Sequence, residues 1–242
     1  MSQSSPFRFK KFEVSHSRSS MKVGVDGVLV GCWARLEGAS RILDVGTGCG
    51  VVALVCAQRS DSASVLAIDI DPPSVEEAAL NFAASPFASR LEARLLDFLE
   101  MKEENSFDAI VTNPPFFDSG IRECSTAREI ARHEVRLPLI GLIENSRRLL
   151  TQNGTLTIIL PYDRMADLIQ AAVESGMTCT RLTIVRGHAG AVPKRLLAEL
   201  RPGTSEGIGW IKPQEEEIVM MEYGIHPTQA YHKLTRDFYL KY

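Results

Sequence analysis

No apolar run in this chain approaches the ~20 residues that a helix needs to cross a bilayer, which excludes a spanning helix on length alone. Cysteine is sparse. The five residues (Cys32, Cys49, Cys56, Cys124, Cys179) are scattered, odd in number and form no C-x-x-C. That excludes a disulfide framework and leads us to expect reduced thiols in a cytosolic, cytoplasmic protein. The five histidines (His16, His133, His188, His226, His232) fall at no metal-ligand spacing, so no metal is expected. A basic excess is missing too. The net charge is −3, without the whole-chain footprint of a nucleic-acid binder, although a local excess stays open. The first six residues lead into no apolar export segment. Internal repeats, low-complexity tracts and signs of a second domain are also lacking.

What remains is 242 residues, 45% of them hydrophobic, enough for one large core. Apolar strands alternate with helical patterns along most of it. Val23 to Glu37 carries helical spacing, with Asp26 near its start as a candidate cap. Strands are expected at Arg41–Val45, Val65–Ile68, Leu91–Leu96, Phe107–Thr112, Thr155–Leu160, Thr178–Val185 and Glu217–Tyr223. Helices are expected at Val51–Ala57, after Asp71-Pro72-Pro73, at Leu139–Leu150 ended by Asn153-Gly154, and at Tyr162–Glu174. Val75, Ala78, Ala79 and Phe82 make the inner face of the second of these. Phe117 to Pro138, charged and weakly periodic, reads as a lid over a substrate. Gly187–Pro213, rich in glycine, proline and basic residues, reads as a loop. The pattern predicts an α/β fold: a doubly wound, seven-stranded, mostly parallel sheet ending in an antiparallel hairpin. It divides into an N-terminal arm and helix (1–39), a core (40–223) and a C-terminal tail (224–242).

Two stretches carry chemistry. Arg41 to Gly50 runs from a strand into Asp44-Val45-Gly46-Thr47-Gly48-Cys49-Gly50. Its glycines permit positive φ and close approach of a ligand. The spacing is G-x-G-x-G and not the pyrophosphate fingerprint G-x-G-x-x-G. Asp69, about twenty residues on at a strand end, is placed to bind a ribose diol. On these features alone, NAD enzymes and methyltransferases are both open. Asp44, a carboxylate inside an apolar strand, needs partners. The turn N–H groups and a cofactor amino group are the candidates.

The second stretch is Asn113-Pro114-Pro115-Phe116, directly after a strand. Two prolines cannot continue a ladder, so the chain leaves the sheet at Asn113, held extended by the proline after it. The Asn113 carboxamide oxygen and the Pro114 carbonyl can accept both hydrogens of one planar amino group, and Phe116 offers a flat face to stack a ring. A plain strand-ending turn with a core phenylalanine is the competing reading. Gly46–Gly50, Asp69, Asp97 and Asn113–Phe116 all fall at C-terminal strand ends, where such sheets bind ligands.

Together, Asp-Val-Gly-Thr-Gly-Cys-Gly and Asn-Pro-Pro-Phe resemble the class I S-adenosylmethionine (SAM)-dependent methyltransferases, in the branch that methylates amino groups conjugated to a planar system. The flanks Phe7-Arg8-Phe9-Lys10, Met21 to Gly31, Ala131-Arg132-His133 and Leu234 to Leu240 look like the bacterial tRNA (adenine-N6)-methyltransferases, which act on the adenosine just 3′ of the anticodon in valine tRNA. The resemblance implies SAM as cofactor and tRNA as partner, for a monomer away from membranes. It implies a cofactor set of Asp26, Asp44, Gly46, Thr47, Gly48, Gly50, Asp69, Ile70, Asp97, Phe98 and Asn113. Asn113, Pro114, Pro115 and Phe116 are implied as the catalytic stretch. Asp26 would face the ligand, and Asp97 would accept from the adenine amino group, or merely cap the next turn. Phe116 departs from the tyrosine of many adenine-N6 enzymes and occurs also in guanine-N2 rRNA enzymes. Protein glutamine-N5 methylation remains open, with an NAD-binding oxidoreductase more remote. Basic residues of the arm and of Gly187–Pro213 are candidates for RNA phosphate contacts, although an edge strand with an apolar inner face explains the arm equally well.

Overall fold

The structure, a computed structural model, describes residues 5–19, 22–114, 137–203, 214–222 and 226–240. Pro115, Phe116, residues 117–136 of the expected lid with its Ala131-Arg132-His133, and residues 204–213 lie outside the described residues. No described helix is long and apolar enough to cross a membrane.

A small hairpin, β1 (Phe7–Arg8) and β2 (Glu13–Val14), precedes helix α1 (Val25–Trp33). Then β3 (Arg41–Val45), α2 (Val51–Arg59), β4 (Ser64–Asp69), α3 (Pro72–Ala83), β5 (Leu91–Leu95) and β6 (Phe107–Thr112) alternate. They are followed by α4 (Leu139–Leu149), β7 (Leu150–Pro161), α5 (Met165–Glu174), β8 (Met177–His188), β9 (Arg195–Pro202), β10 (Gln214–Glu222), β11 (His226–Pro227) and α6 (Gln229–Thr235). Among the described residues the main sheet has nine strands in the order β11-β10-β8-β9-β7-β6-β3-β4-β5. Strands β7, β6, β3, β4 and β5 pair in parallel, and β9 lies antiparallel between β7 and β8.

Successive residues of the central strands serve opposite faces, as the two-residue period demands. Ile42, Val65, Ala109 and Val111 join α1, α2 and the arm in one apolar cluster. Leu43, Ile68 and Ile110 join α4 and α5 in the other. Both faces are covered, which is why these strands read as continuous apolar runs. The arm is no strand of this sheet. Phe9 and Phe12 are buried, and Phe9 stacks on Tyr239 of the tail, 6.0 Å between ring centres. That agrees with the apolar inner face expected of it.

Three differences from the sequence reading stand out. The stretch read as a loop after Gly187 contains β9, whose Leu196, Leu197, Ala198 and Leu200 are buried. The antiparallel hairpin is therefore β8–β9, and β10 returns parallel to β8. Four apolar residues, interrupted by Glu199, were hidden by the flanking Pro193, Lys194, Arg201 and Pro202. Second, α4 ends at Leu149 and β7 begins at once, so Asn153-Gly154 lies within the strand. Gly154 is required there because a Cβ would stand 2.9 Å from the Phe107 carbonyl oxygen, beside a register shift. Third, the stripe of α3 that packs inward is Ser74, Glu77, Ala78, Asn81 and Phe82, while Ala79 is exposed. Ala78 and Phe82 face inward as expected, and the polar Ser74, Glu77 and Asn81 complete the stripe in place of Val75 and Ala79.

Candidate cofactor and methyl-acceptor site

The site is built by register. Val45 of β3 pairs with Ile68 of β4 and with Thr112 of β6, and Asp69 pairs with Leu95 of β5. Gly46, Asp69 and Asn113 therefore emerge side by side from three neighbouring strands, with Asp97 two residues past the end of the fourth. The Thr112 hydroxyl donates to the Val45 carbonyl at 2.8 Å, fixing the β3–β6 exit. Asn113 is half-buried and Pro114 buried, directly beyond it. The four rim positions expected from sequence thus share one edge.

The glycine turn is tied from below. Gly46 and Thr47 N–H groups both donate to the Ile68 carbonyl at 3.0 Å. The Gly48 amide donates to Asp69 Oδ2 at 2.9 Å, and the Asp71 amide to Asp69 Oδ1 at 3.0 Å. Gly48 has φ +53°, and nothing stands within 4 Å of where its Cβ would be, so the turn faces open space on that side. Gly50, φ +87°, has the opposite reason for being glycine: a Cβ would meet Phe82 of α3 at 2.5 Å. These features fit a ligand lying on the turn, with no side chain in its way.

Asp44 lies wholly buried under the turn. Its Oδ2 accepts from the Thr47 hydroxyl (2.6 Å) and the Ala53 amide (3.1 Å). Its Oδ1 is buried and accepts from no described residue. Burial is the largest influence and pushes this carboxyl up to about 7, against the pull of Thr47 and Ala53. An orphaned carboxylate oxygen is a place for a donor that the chain itself does not supply, and a cationic amino group of a cofactor fits that requirement. Burial raises Asp69 as well, with the Gly48 and Asp71 amides opposing it.

Other expected residues are placed differently. Asp26 does not cap α1: the N-cap, Gly24, receives no side-chain bond, and Asp26 accepts from Arg195 Nε at 2.8 Å. That ion pair ties α1 to the first residue of β9. Asp97 is half-buried and accepts from the Leu99 amide at 2.9 Å, the capping arrangement. The Phe98 ring is buried in the core beneath α4 and its carbonyl is taken by Asn145, so its side chain is a packing residue. Ile70 is half-buried just past Asp69. Sequence reasoning missed Glu77 and Asn81, which bind the arm beside the turn. Their signal was the i, i+3, i+4, i+7, i+8 stripe from Ser74, obscured because its members are polar.

Comparison with known proteins gives this geometry a family. The model of the methyltransferase small domain matches residues 26–175. A tRNA1(Val) (adenine(37)-N6)-methyltransferase of Bacteroides fragilis is 40% identical over 240 residues, covering 97% of this chain and 98% of that protein. One from Vibrio vulnificus is 38% identical over 235 residues, covering 97% and 95%. Among solved structures, a predicted O-methyltransferase from Agrobacterium tumefaciens superposes with a TM-score of 0.68 at 18% identity, covering 88% of this chain and 96% of that one. The glycine turn, the strand-end acids and the Asn-Pro exit are thus in the company that their arrangement requires, and the chain belongs to the class I methyltransferases, in the family of the bacterial tRNA1(Val) (adenine-N6)-methyltransferases.

Proposed function

We propose that this chain, working as one catalytic domain, methylates the N6 amino group of adenosine 37 in tRNA1(Val), the reaction named for its relatives. The observation that carries this reading is the register that sets Asn113 and Pro114 beside the Gly46–Gly50 turn. SAM, when bound, supplies a methyl group on a sulfonium, open to direct displacement by a nitrogen. The residues suited to hold it are Gly46, Thr47, Gly48 and Gly50 of the turn, Asp44 through its free oxygen, and Asp69 toward the ribose hydroxyls. Asp69 already holds two backbone amides, so it serves the ligand with its remaining lone pairs.

The adenine amino nitrogen is a poor nucleophile because its lone pair is delocalised into the ring. Asn113 Oδ1 and the Pro114 carbonyl, accepting its two hydrogens, favour a nitrogen with a more available pair. That help grows as positive charge develops on nitrogen, so it stabilises the transition state. The methylated cation is acidic enough to lose its proton to water, so no general base is needed. Stacking of the extruded base falls to Phe116. Exposed cations of the arm, among them Lys10 and Lys11, are suited to phosphates, which makes tRNA affinity fall steeply with salt.

The test is transfer of labelled methyl from SAM to tRNA1(Val) with nucleoside analysis of the product. N6-methyladenosine is expected. A guanine-N2 product, or label in protein glutamine alone, overturns the substrate assignment. Asn113→Ala should lower single-turnover rate roughly a hundredfold or more with SAM affinity retained. A wild-type rate in that variant reduces the Asn-Pro stretch to a turn.

A further inference from the structure

Helix α3 carries a clamp that the chemistry above does not use. Glu77, 2% exposed, receives three consecutive backbone amides of the arm. The Ser17 amide donates to Oε1 at 2.7 Å, Arg18 to both oxygens at 3.1 and 3.2 Å, and Ser19 to Oε2 at 2.8 Å. The Ser17 hydroxyl adds a contact at 3.3 Å. Successive amides curled this way make an anion-binding nest. Here the protein fills it with its own carboxylate.

One turn along α3, Asn81 reads both sides of the junction. Its Oδ1 accepts from the Ser15 amide at 2.9 Å, and its Nδ2 donates to the Ser15 carbonyl at 2.9 Å and to the Cys49 carbonyl at 2.8 Å. Cys49 lies between Gly48 and Gly50 in the turn. The Ser19 hydroxyl bonds both Glu77 and the Cys49 thiol. The arm then resumes at Lys22 and enters α1, where Gly27 lets the helix press on Val51, the first residue after the turn. The arm is therefore anchored on both flanks of the glycine turn.

Resting on the cofactor assignment above, we infer that Glu77 and Asn81 are positioning residues that hold the arm against the glycine turn and so set SAM affinity. The turn needs three residues at positive φ, and its Cys49 peptide is held by Asn81 from outside the turn. With the clamp closed, the turn is ordered before the ligand arrives. With it open, binding must order both turn and arm. Coupling is reciprocal, so SAM in turn tightens the clamp.

The experiment combines titration calorimetry, steady-state kinetics and amide exchange on the full chain. Glu77→Gln keeps the shape but removes the charge and presents a donor to donors. It should weaken SAM affinity and raise KM for SAM about tenfold, the scale of coupling between two sites. At saturating SAM, kcat should stay within about twofold, since no group at the reacting atoms has changed. Loss of fold alone would lower kcat with the active fraction and leave KM unmoved. Ser17→Pro deletes one arm amide from the solvent side and should give the same split if Glu77→Gln does not fold. In the wild type, SAM should slow exchange of the Ser15 and Ser17–Ser19 amides. Unchanged SAM affinity in either folded variant, a loss confined to kcat, or exchange indifferent to SAM overturns the inference. Wild-type protein that binds no SAM overturns instead the cofactor assignment on which it rests.

Discussion

Two carboxylates of this chain, one on each side of the glycine turn, sit out of water with opposite consequences. Asp44 beneath the turn has one oxygen satisfied and one orphaned, and burial pushes it up to about 7. Glu77 under the arm is only 2% exposed but lies nearer the surface, and burial alone would still raise it. The amides of Ser19, Arg18 and Ser17 outweigh burial and hold it below its ordinary 4.5. The donors meeting the oxygens, set against the cost of burial, decide the charge state. A buried acid short of donors is primed for a ligand, whereas one saturated by amides is a fastener.

The comparison breaks first on pH. Asp44 binds its proton more tightly folded than unfolded, so its contribution is fully present below 3.8 and is lost as pH rises toward about 7. At 1.36 kcal/mol per unit this is on the order of 4 kcal/mol at most in ligand-free protein. Glu77 runs the other way: its contribution is present above 4.5 and is lost as pH falls through its lowered folded value. Denaturant midpoints from pH 3 to pH 8 should show both limbs. Asp44→Asn should flatten the upper limb alone, and saturating SAM should flatten it too, because a cation beside Asp44 favours the ionised form. An upper limb that survives Asp44→Asn refutes the assignment.

A smaller effect sharpens the turn side. Asp69→Ala removes the acceptor for two backbone amides and, in the proposed cofactor site, for the ribose hydroxyls, at an expected cost of ~2 kcal/mol or more in SAM binding. Calorimetry with unchanged affinity contradicts its place in the site. Smaller still is Asp97→Ala. Loss of a cap costs about 1 kcal/mol of stability. If Asp97 serves only its turn, thermal unfolding shifts and SAM affinity does not. A clear loss of affinity restores it to the adenine.

The rim was legible in the sequence because its causes are local. Gly46, Gly48 and Gly50 declare a turn by their permitted φ, and Asn113-Pro114 declares a strand exit by the missing N–H. Each strand-end acid follows its apolar run directly. Elsewhere the signals competed and the wrong one was taken. The β9 run was masked by its basic and proline flanks. Asn153-Gly154 imitates a helix stop, while the glycine answers the nearness of the Phe107 carbonyl. At Asp97 the cap is one of the two roles that the sequence leaves open, and the Phe98 ring packs in the core.

By itself the sequence determined the alternating α/β order, the glycine turn and the Asn-Pro exit, since a few neighbouring residues decide each of them. Only the tertiary structure decided which donors meet which carboxylate. The amides that saturate Glu77 come from 58 to 60 positions away and the Ser15 partner of Asn81 from 66, while Asp44 finds its donors within nine. No local pattern can foretell a bond whose two ends the chain brings together only by folding, and those bonds set the charge on each side of the turn.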